Sequence, residues 1–315
     1  MRVRSRFQWP PDKECARRKA IRLEWMTLAG MGSVVLVVYL VLGNSQAMRT
    51  AWVEDIVGML PAIIYLVAAH VERREPSENF PFGFYRSFSI AYLFGATATL
   101  FVGLYLLTEN AAKLIAQEHP TIGLMSVFGY DVWAGWLMIA ALIYSIIPPV
   151  ILGRLKMPVA HAIHDKVLVA DGSMQKADWL ADVAAIAGII GIAFGLWWAD
   201  AVTAAIISVD IAYDGGRHVL RAIRDLLDQT PRTIDRAEPY PGIEAIRNAV
   251  LALDWIEQVK VEMREEGRLL TGTIYVTPRP GADAIERLVE VSQAARASDW
   301  RVYEPVVALI PGDEI

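Results

Sequence analysis

The chain has 315 residues, of which 55% are hydrophobic and 21% charged, and its formal net charge at pH 7 is −5. The single cysteine, Cys15, excludes an internal disulfide and any cysteine-rich zinc cluster. Long apolar runs and a positive mean hydropathy indicate a membrane protein. The first 23 residues are basic and polar, so no cleavable signal peptide is predicted.

Six apolar segments are long enough to cross a bilayer, which needs roughly 20 helical residues. They cover residues 25–43, 47–71, 87–114, 132–152, 169–198 and 200–226. Pro61 is expected to kink the second of them. The leader and the second-to-third and fourth-to-fifth connections together carry fourteen Lys and Arg, Lys156 among them, against only Arg49 and Lys113 opposite. This bias predicts that both termini are cytoplasmic.

Residues 228–315 have the composition of a soluble tail, with 10 Lys and Arg against 16 Asp and Glu. An acidic tail argues against nucleic-acid binding, which requires a basic face. Helical and alternating patterns at 243–253, 256–263, 269–276, 284–295 and 302–310 predict the order αββαβ. Such a small α+β sandwich leaves a sheet face or edge free for dimerisation.

Two aspartates, Asp178 and Asp182, lie inside the fifth apolar segment. Their spacing places both carboxylates on one face of a helix. An ionised carboxylate at membrane depth costs at least a few kcal/mol unless it is paired, protonated or bound to a metal. The pair therefore predicts a site for a passing cation.

Short motifs occur in a fixed order along the spans. Phe82-Gly83-Phe84-Tyr85-Arg86 opens the third span, and Asp182-Val183 with Gly188-Ile189-Ile190-Gly191 lies in the fifth. The sixth begins with Asp200-Ala201-Val202 and ends with Gly215-Gly216-Arg217 and Asp225-Leu226-Leu227-Asp228. In this order the motifs resemble the cation diffusion facilitator family of metal transporters. The resemblance implies a six-helix all-α transmembrane bundle, a cytoplasmic tail of the metallochaperone or ferredoxin-like type, and a homodimer.

Three parts of the chain are expected. These are a basic cytoplasmic segment over residues 1–24, a six-span cation-transport domain over 25–227, and a dimerisation or regulatory tail over 228–315.

The family binds its cation with two pairs of ligands, four residues apart, on helices two and five. On helix five the match falls on Asp178 and Asp182, with Met174 and Asp178 as the shifted alternative. On helix two it falls on Glu54 and Gly58, and glycine has no side chain that can ligate. This departure puts classical zinc transport in doubt. The neighbouring Asp55 is a candidate to supply an oxygen.

Other polar residues are weaker candidates. Asp210, ten residues into the sixth span, is a proton carrier, a substitute for the missing ligand, or a partner to a polar group across the bundle. The cluster His161, His164 and Asp165 in the fourth-to-fifth connection is either an accessory metal site or an ordinary exposed loop.

These observations predict an exporter of divalent metal cations, coupled to protons and acting as a homodimer, in a lipid bilayer that we expect to be the bacterial inner membrane. Carboxylate ligands favour hard cations such as Mn²⁺, Fe²⁺ or Mg²⁺, although Zn²⁺ also accepts them. We expect neither a resident cofactor nor enzymatic activity, since no nucleophile elbow, phosphate-binding glycine loop or zinc-protease motif occurs. The alternative is a non-transporting membrane scaffold or metal-responsive regulator.

Overall fold

The structure, a computed structural model, describes residues 6–41, 52, 55–116, 123–127, 130–196, 198–234, 238–281 and 283–311. Its first part is helical. The helices are α1 (Pro11–Val41), α2 (Leu60–Glu72), α3 (Ser87–Ile115), α4 (Ala134–Ile163), α5 (Lys166–Ala193) and α6 (Ala199–Leu226). A short hairpin of β1 (Leu124–Val127) and β2 (Tyr130–Trp133) precedes α4.

Within the described part of the chain, four helices are long and apolar enough to cross a membrane. They are Pro11–Val41, Asp55–Glu72, Ser87–Ile115 and Ala134–Ile163. The helices α5 and α6 have 28 residues each, and charged side chains occur along both of them. The chain is thus a mostly helical membrane protein, and the count of six spans stays a prediction.

Two helices continue beyond the predicted spans. The first helix begins at Pro11, fourteen residues before the predicted span, and the fourth continues to Ile163. The hairpin before α4 was not predicted. The second span is interrupted at Met59, two residues before Pro61, as expected from a proline that cannot donate a backbone hydrogen bond.

Small residues allow α3 and α6 to pack with their backbones in contact. A Cβ added at Gly103 would lie 2.5 Å from the backbone nitrogen of Ala212, and one at Gly215 would lie 2.5 Å from that of Leu100. Glycine is therefore required at both positions, in the manner of small-residue helix pairs in membranes. The bundle encloses an apolar core around Tyr65, Phe88 and Leu168.

The tail contains α7 (Gly242–Leu251), β3 (Ile256–Glu266), β4 (Leu269–Pro278), α8 (Ala284–Ser298) and β5 (Val306–Leu309). The strands form one sheet in the order β3-β4-β5, antiparallel between the first two and parallel between the last two. Buried side chains of both helices, including Ile246, Val250 and Val291, cover one sheet face. The predicted element order αββαβ is confirmed, although β5 is shorter than predicted.

The tip of the β3–β4 hairpin docks onto the helical bundle through Arg268, which is 2% exposed. Its guanidinium donates to Asp165 Oδ2 at 3.2 Å and to Glu72 at the end of α2. Burial alone would lower the pKa of Arg268, but the carboxylates of Glu72 and Asp165 raise it, so the guanidinium stays charged. The preceding Gly267 has φ +65°, and a Cβ there would lie 2.4 Å from the Tyr85 carbonyl oxygen. The tail and the connections around residues 73–86 and 164–165 therefore share one side of the bundle.

Candidate metal centre

One face of α5 carries a row of polar side chains, which we call the α5 polar face: Asp171, Gln175, Asp178 and Asp182. Spacings of four, three and four residues align them along about three helical turns. Asp171 and Gln175 are fully buried, and the two predicted ligands farther along are partly buried. Because the rest of the helix is largely apolar, this face has to be turned towards other helices.

The helical turn before α2 lies against the α5 polar face. A Cβ added at the buried Gly58 would lie 2.9 Å from Asp178 Oδ2 and 3.3 Å from its Cγ. The position that lacks a ligand side chain thus touches the carboxylate of a predicted ligand. The predicted meeting of the second and fifth segments is observed at this contact.

Asp55 lies three residues before Gly58 and is 9% exposed. Residues three apart share a helix face, so its side chain is on the side of the turn that faces α5. Glu54, the other predicted ligand of this segment, lies outside the described residues.

Asp182, the second aspartate of the pair, has a hydrogen-bond partner on α4. Ser145, which is 1% exposed, hydrogen-bonds to the side chain of Asp182. Met174, the alternative ligand one turn before Asp178, is completely buried on α5. Both alternatives of the ligand assignment include Asp178, the residue that contacts Gly58.

Asp210 is placed differently from the other candidates. Its side chain is 58% exposed on α6 and lies 3.5 Å from the ammonium of Lys176 on α5. Asp210 therefore acts as an ion-pair partner of Lys176 on the outer surface of the bundle.

The three residues of the fourth-to-fifth connection do not converge. Asp165 caps α5 by accepting hydrogen bonds from the backbone N–H groups of Val167 at 3.1 Å and Leu168 at 3.2 Å. His161 Nδ1 lies 2.7 Å from the carbonyl oxygen of Met157, and His164 turns towards the tail. Each of these side chains therefore has a structural partner.

His164 and Glu265 meet where the tail joins the bundle, with His164 Nε2 3.4 Å from Glu265 Oε1. Burial and the nearby Arg301 lower the pKa of His164. Burial alone would raise the pKa of Glu265, but Arg301, His164 and Lys166 hold it well below its ordinary range. At neutral pH the carboxylate is ionised and the imidazole is neutral.

A second charged cluster was not predicted. Glu24 on α1, Lys156 on α4 and Asp171 on α5 have side chains that are 0% exposed. We call them the buried triad. Lys156 Nζ donates to Glu24 Oε2 at 3.0 Å and also to Asp171. Lys156 was assigned to a cytoplasmic loop, which is wrong, because α4 extends beyond it and its ammonium is inside the bundle.

The available signal for the triad was the spacing of acids on the fifth segment, since Asp171 precedes Asp178 by two helical turns. The partners Glu24 and Lys156 come from distant parts of the chain, and only the packing of the helices reveals them.

The site is described in part, because one of its predicted ligands lies outside the described residues. Among the residues that are described, no three His, Cys, Asp or Glu side chains come close enough together to hold a metal ion. The contact between Gly58 and Asp178, with Asp55 one turn before Gly58, still places the two acid-bearing segments next to each other. Oxygen ligands of this kind suit divalent cations.

A bundle of apolar helices with carboxylates on an internal face is the architecture of a membrane protein that moves cations. The chain belongs to the cation efflux family, since the model of the cation efflux transmembrane domain matches residues 25–227. The resemblance to cation diffusion facilitators is thereby confirmed. Members of this family are transporters of metal cations and not enzymes, so metal efflux is the class of function.

Two known proteins are similar to the chain. The manganese efflux system protein MneS of Bacillus subtilis is 19% identical over 261 residues, which cover 83% of this chain and 82% of MneS. An uncharacterized transporter of Methanocaldococcus jannaschii is 22% identical over 191 residues, covering 59% of this chain and 63% of that protein.

Proposed function

We propose that the protein exports a divalent cation, with Mn²⁺ as the physiological substrate, in exchange for protons. Glu54, Asp55, Asp178 and Asp182 form the transport site. The protein acts as a homodimer of six-span protomers in the bacterial inner membrane, with both termini in the cytoplasm.

The contact between Gly58 and Asp178 carries this proposal. It supports a site at the crossing of the second and fifth segments, because a carboxylate of α5 faces the position where a ligand is missing.

Asp55 is the better substitute for the missing ligand. It is buried, and it shares the α5-facing side of the turn with Gly58. Asp210, by contrast, is exposed and paired with Lys176. We therefore leave Asp210 outside the site.

Carboxylate ligands support the choice of Mn²⁺. Hard cations prefer oxygen ligands, whereas zinc sites are typically rich in imidazole and thiolate. One relative is a manganese efflux system protein. Coupling to protons follows from the same ligands, because carboxylates that hold protons in the empty site release them when a divalent cation binds.

Exposed apolar side chains of the tail support the homodimer. Ile285 is 76% exposed and Val289 is 64% exposed, one turn apart on α8. Apolar side chains grouped on the surface of a water-soluble domain mark an interaction site. A second copy of the tail would cover them.

The test is uptake of Mn²⁺ into proteoliposomes that contain the full-length protein, with and without a pH gradient. Asp182→Ala and Asp178→Asn should abolish uptake. Asp210→Asn is the matched control and should transport like the wild type. Wild-type uptake that is absent, or that survives Asp182→Ala, would contradict the proposal. Metal binding without flux would instead favour a metal-responsive regulator.

A further inference from the structure

The buried triad holds an excess of negative charge in the interior of the bundle. Two carboxylates share one ammonium, so the fully ionised cluster has a net charge of −1. All three side chains are 0% exposed. An uncompensated charge in such a place is strongly disfavoured.

Among the described residues, the groups next to the triad do not supply the missing positive charge. Besides the triad itself, the groups that act on Glu24 electrostatically include Asp165, and Tyr65 lies in the same region. Asp165 is already engaged by Arg268 at 3.2 Å and by the Tyr65 hydroxyl at 3.1 Å. These neighbours therefore leave the charge of the triad unbalanced.

Three buried acceptor atoms point to what the cluster lacks. Among the described residues, no hydrogen-bond donor reaches Glu24 Oε1, Asp171 Oδ1 or Gln175 Oε1. Gln175 is 1% exposed, and its amide nitrogen donates to Asp171 Oδ2 at 3.1 Å, so its free oxygen lies beside the triad. A buried acceptor without a donor is energetically unfavourable.

We propose that Glu24 and Asp171, bridged by Lys156, hold one exchangeable proton at a site separate from the metal ligands. The proton adds to a carboxylate oxygen to form an O–H group. This neutralises the cluster and supplies a donor to one of the free acceptors. The inference rests on the proposed metal–proton exchange and names the residues that carry the proton.

A proton fits this cluster better than a metal ion does. The ammonium of Lys156 already occupies the space between the two carboxylates and would repel a divalent cation. Conversely, a proton needs only one carboxylate oxygen that has no donor, and the triad offers two.

The α5 polar face links this proton site to the metal site. Asp171 and Asp178 are seven residues apart, which is about 10 Å along the helix axis, with Gln175 between them. A divalent cation at Asp178 lowers the affinity of the triad for a proton through Coulomb repulsion across a region of low dielectric constant. Metal binding and proton release are thereby coupled without a shared ligand.

The experiment measures how many protons the purified full-length protein releases when Mn²⁺ is added in weakly buffered detergent solution. In Glu24→Gln the triad is neutral without a proton, so we expect about one proton fewer per protomer than in the wild type. The Mn²⁺ affinity should fall by about tenfold at neutral pH, because proton release in the wild type leaves a negative charge near the cation that the variant lacks. Glu244→Gln, which changes an exposed carboxylate on α7, is the control and should release the wild-type number.

A charge-balance rescue separates this role from a structural one. The double variant Glu24→Gln/Lys156→Met again has a net charge of −1, carried by Asp171, and should regain the lost proton. Asp171→Asn replaces Glu24→Gln if the latter does not fold. Unchanged proton release in the single variants, or no recovery in the double variant, overturns the proposal. Absence of Mn²⁺ flux in the wild type would instead refute the proposed function.

Discussion

Replacing Gly58 by alanine tests the geometry of the metal centre directly. The added Cβ would lie 2.9 Å from Asp178 Oδ2, whereas ordinary contacts begin near 3.4 Å, so the carboxylate has to move by about 0.5 Å. Metal–ligand distances tolerate only about 0.2 Å. Displacement of a ligand by its neighbours typically weakens metal binding by about 10- to 100-fold. We therefore expect a loss of ~1.4–2.7 kcal/mol in Mn²⁺ binding.

The assay is Mn²⁺ titration of the purified protein, followed by uptake into proteoliposomes. Gly95→Ala is the matched control, because it adds the same methyl group to a transmembrane helix where nothing lies within 4 Å. Gly95→Ala should bind like the wild type. If Gly58→Ala also binds Mn²⁺ with the wild-type affinity, Asp178 does not ligate the cation and the assignment fails.

Three further predictions concern the tail and the helix packing. Arg268→Ala leaves buried carboxylates without a cation, so we expect docking of the tail to weaken by about 3–5 kcal/mol. The measurement is hydrogen exchange in the β3–β4 hairpin, which should become faster. Arg247→Ala removes an exposed ion pair and should have little effect. Because docking lowers the pKa of His164, the undocked state of the protein binds more protons below about pH 6.5. Docking should therefore weaken as the pH falls from neutrality towards this lowered pKa, and His164→Gln should remove that dependence, as read by the same exchange experiment. Gly103→Ala forces α3 away from α6 and should cost about 1–3 kcal/mol in detergent unfolding, with Gly95→Ala as the control; an unchanged unfolding midpoint would refute the close packing.

Much of the fold could be predicted because its signals are local. Apolar length predicts the long helices, and alternating patterns predict the strands of the tail, whose predicted starts at Ile256 and Leu269 are the observed ones. The ends of the helices were harder to predict, because some helices continue through charged stretches of the sequence. The first helix runs from Pro11 through a basic leader, and Lys156 is charged although α4 continues around it.

The candidate site was predictable only where family motifs and helical spacing agree. Asp178 and Asp182 follow from both, and the contact of Asp178 with Gly58 could be expected from the order of the motifs. The exposed position of Asp210 could not be predicted, because the depth of a residue along a span does not tell which face of the helix it lies on. The buried triad was missed for a related reason, since Glu24 and Lys156 are 132 residues apart in sequence and pair only through helix packing.

The contact between Arg268 and Glu72 gives the second segment a mechanical connection to the tail. Fourteen residues, about 21 Å of helix, separate Gly58 from Glu72, and Pro61 is the weak point between them. A tilt of this helical segment that opened the ion pathway would displace the β3–β4 hairpin, which is attached at Glu72. A molecule that binds the tail and holds it in place would then slow transport without contacting the ion.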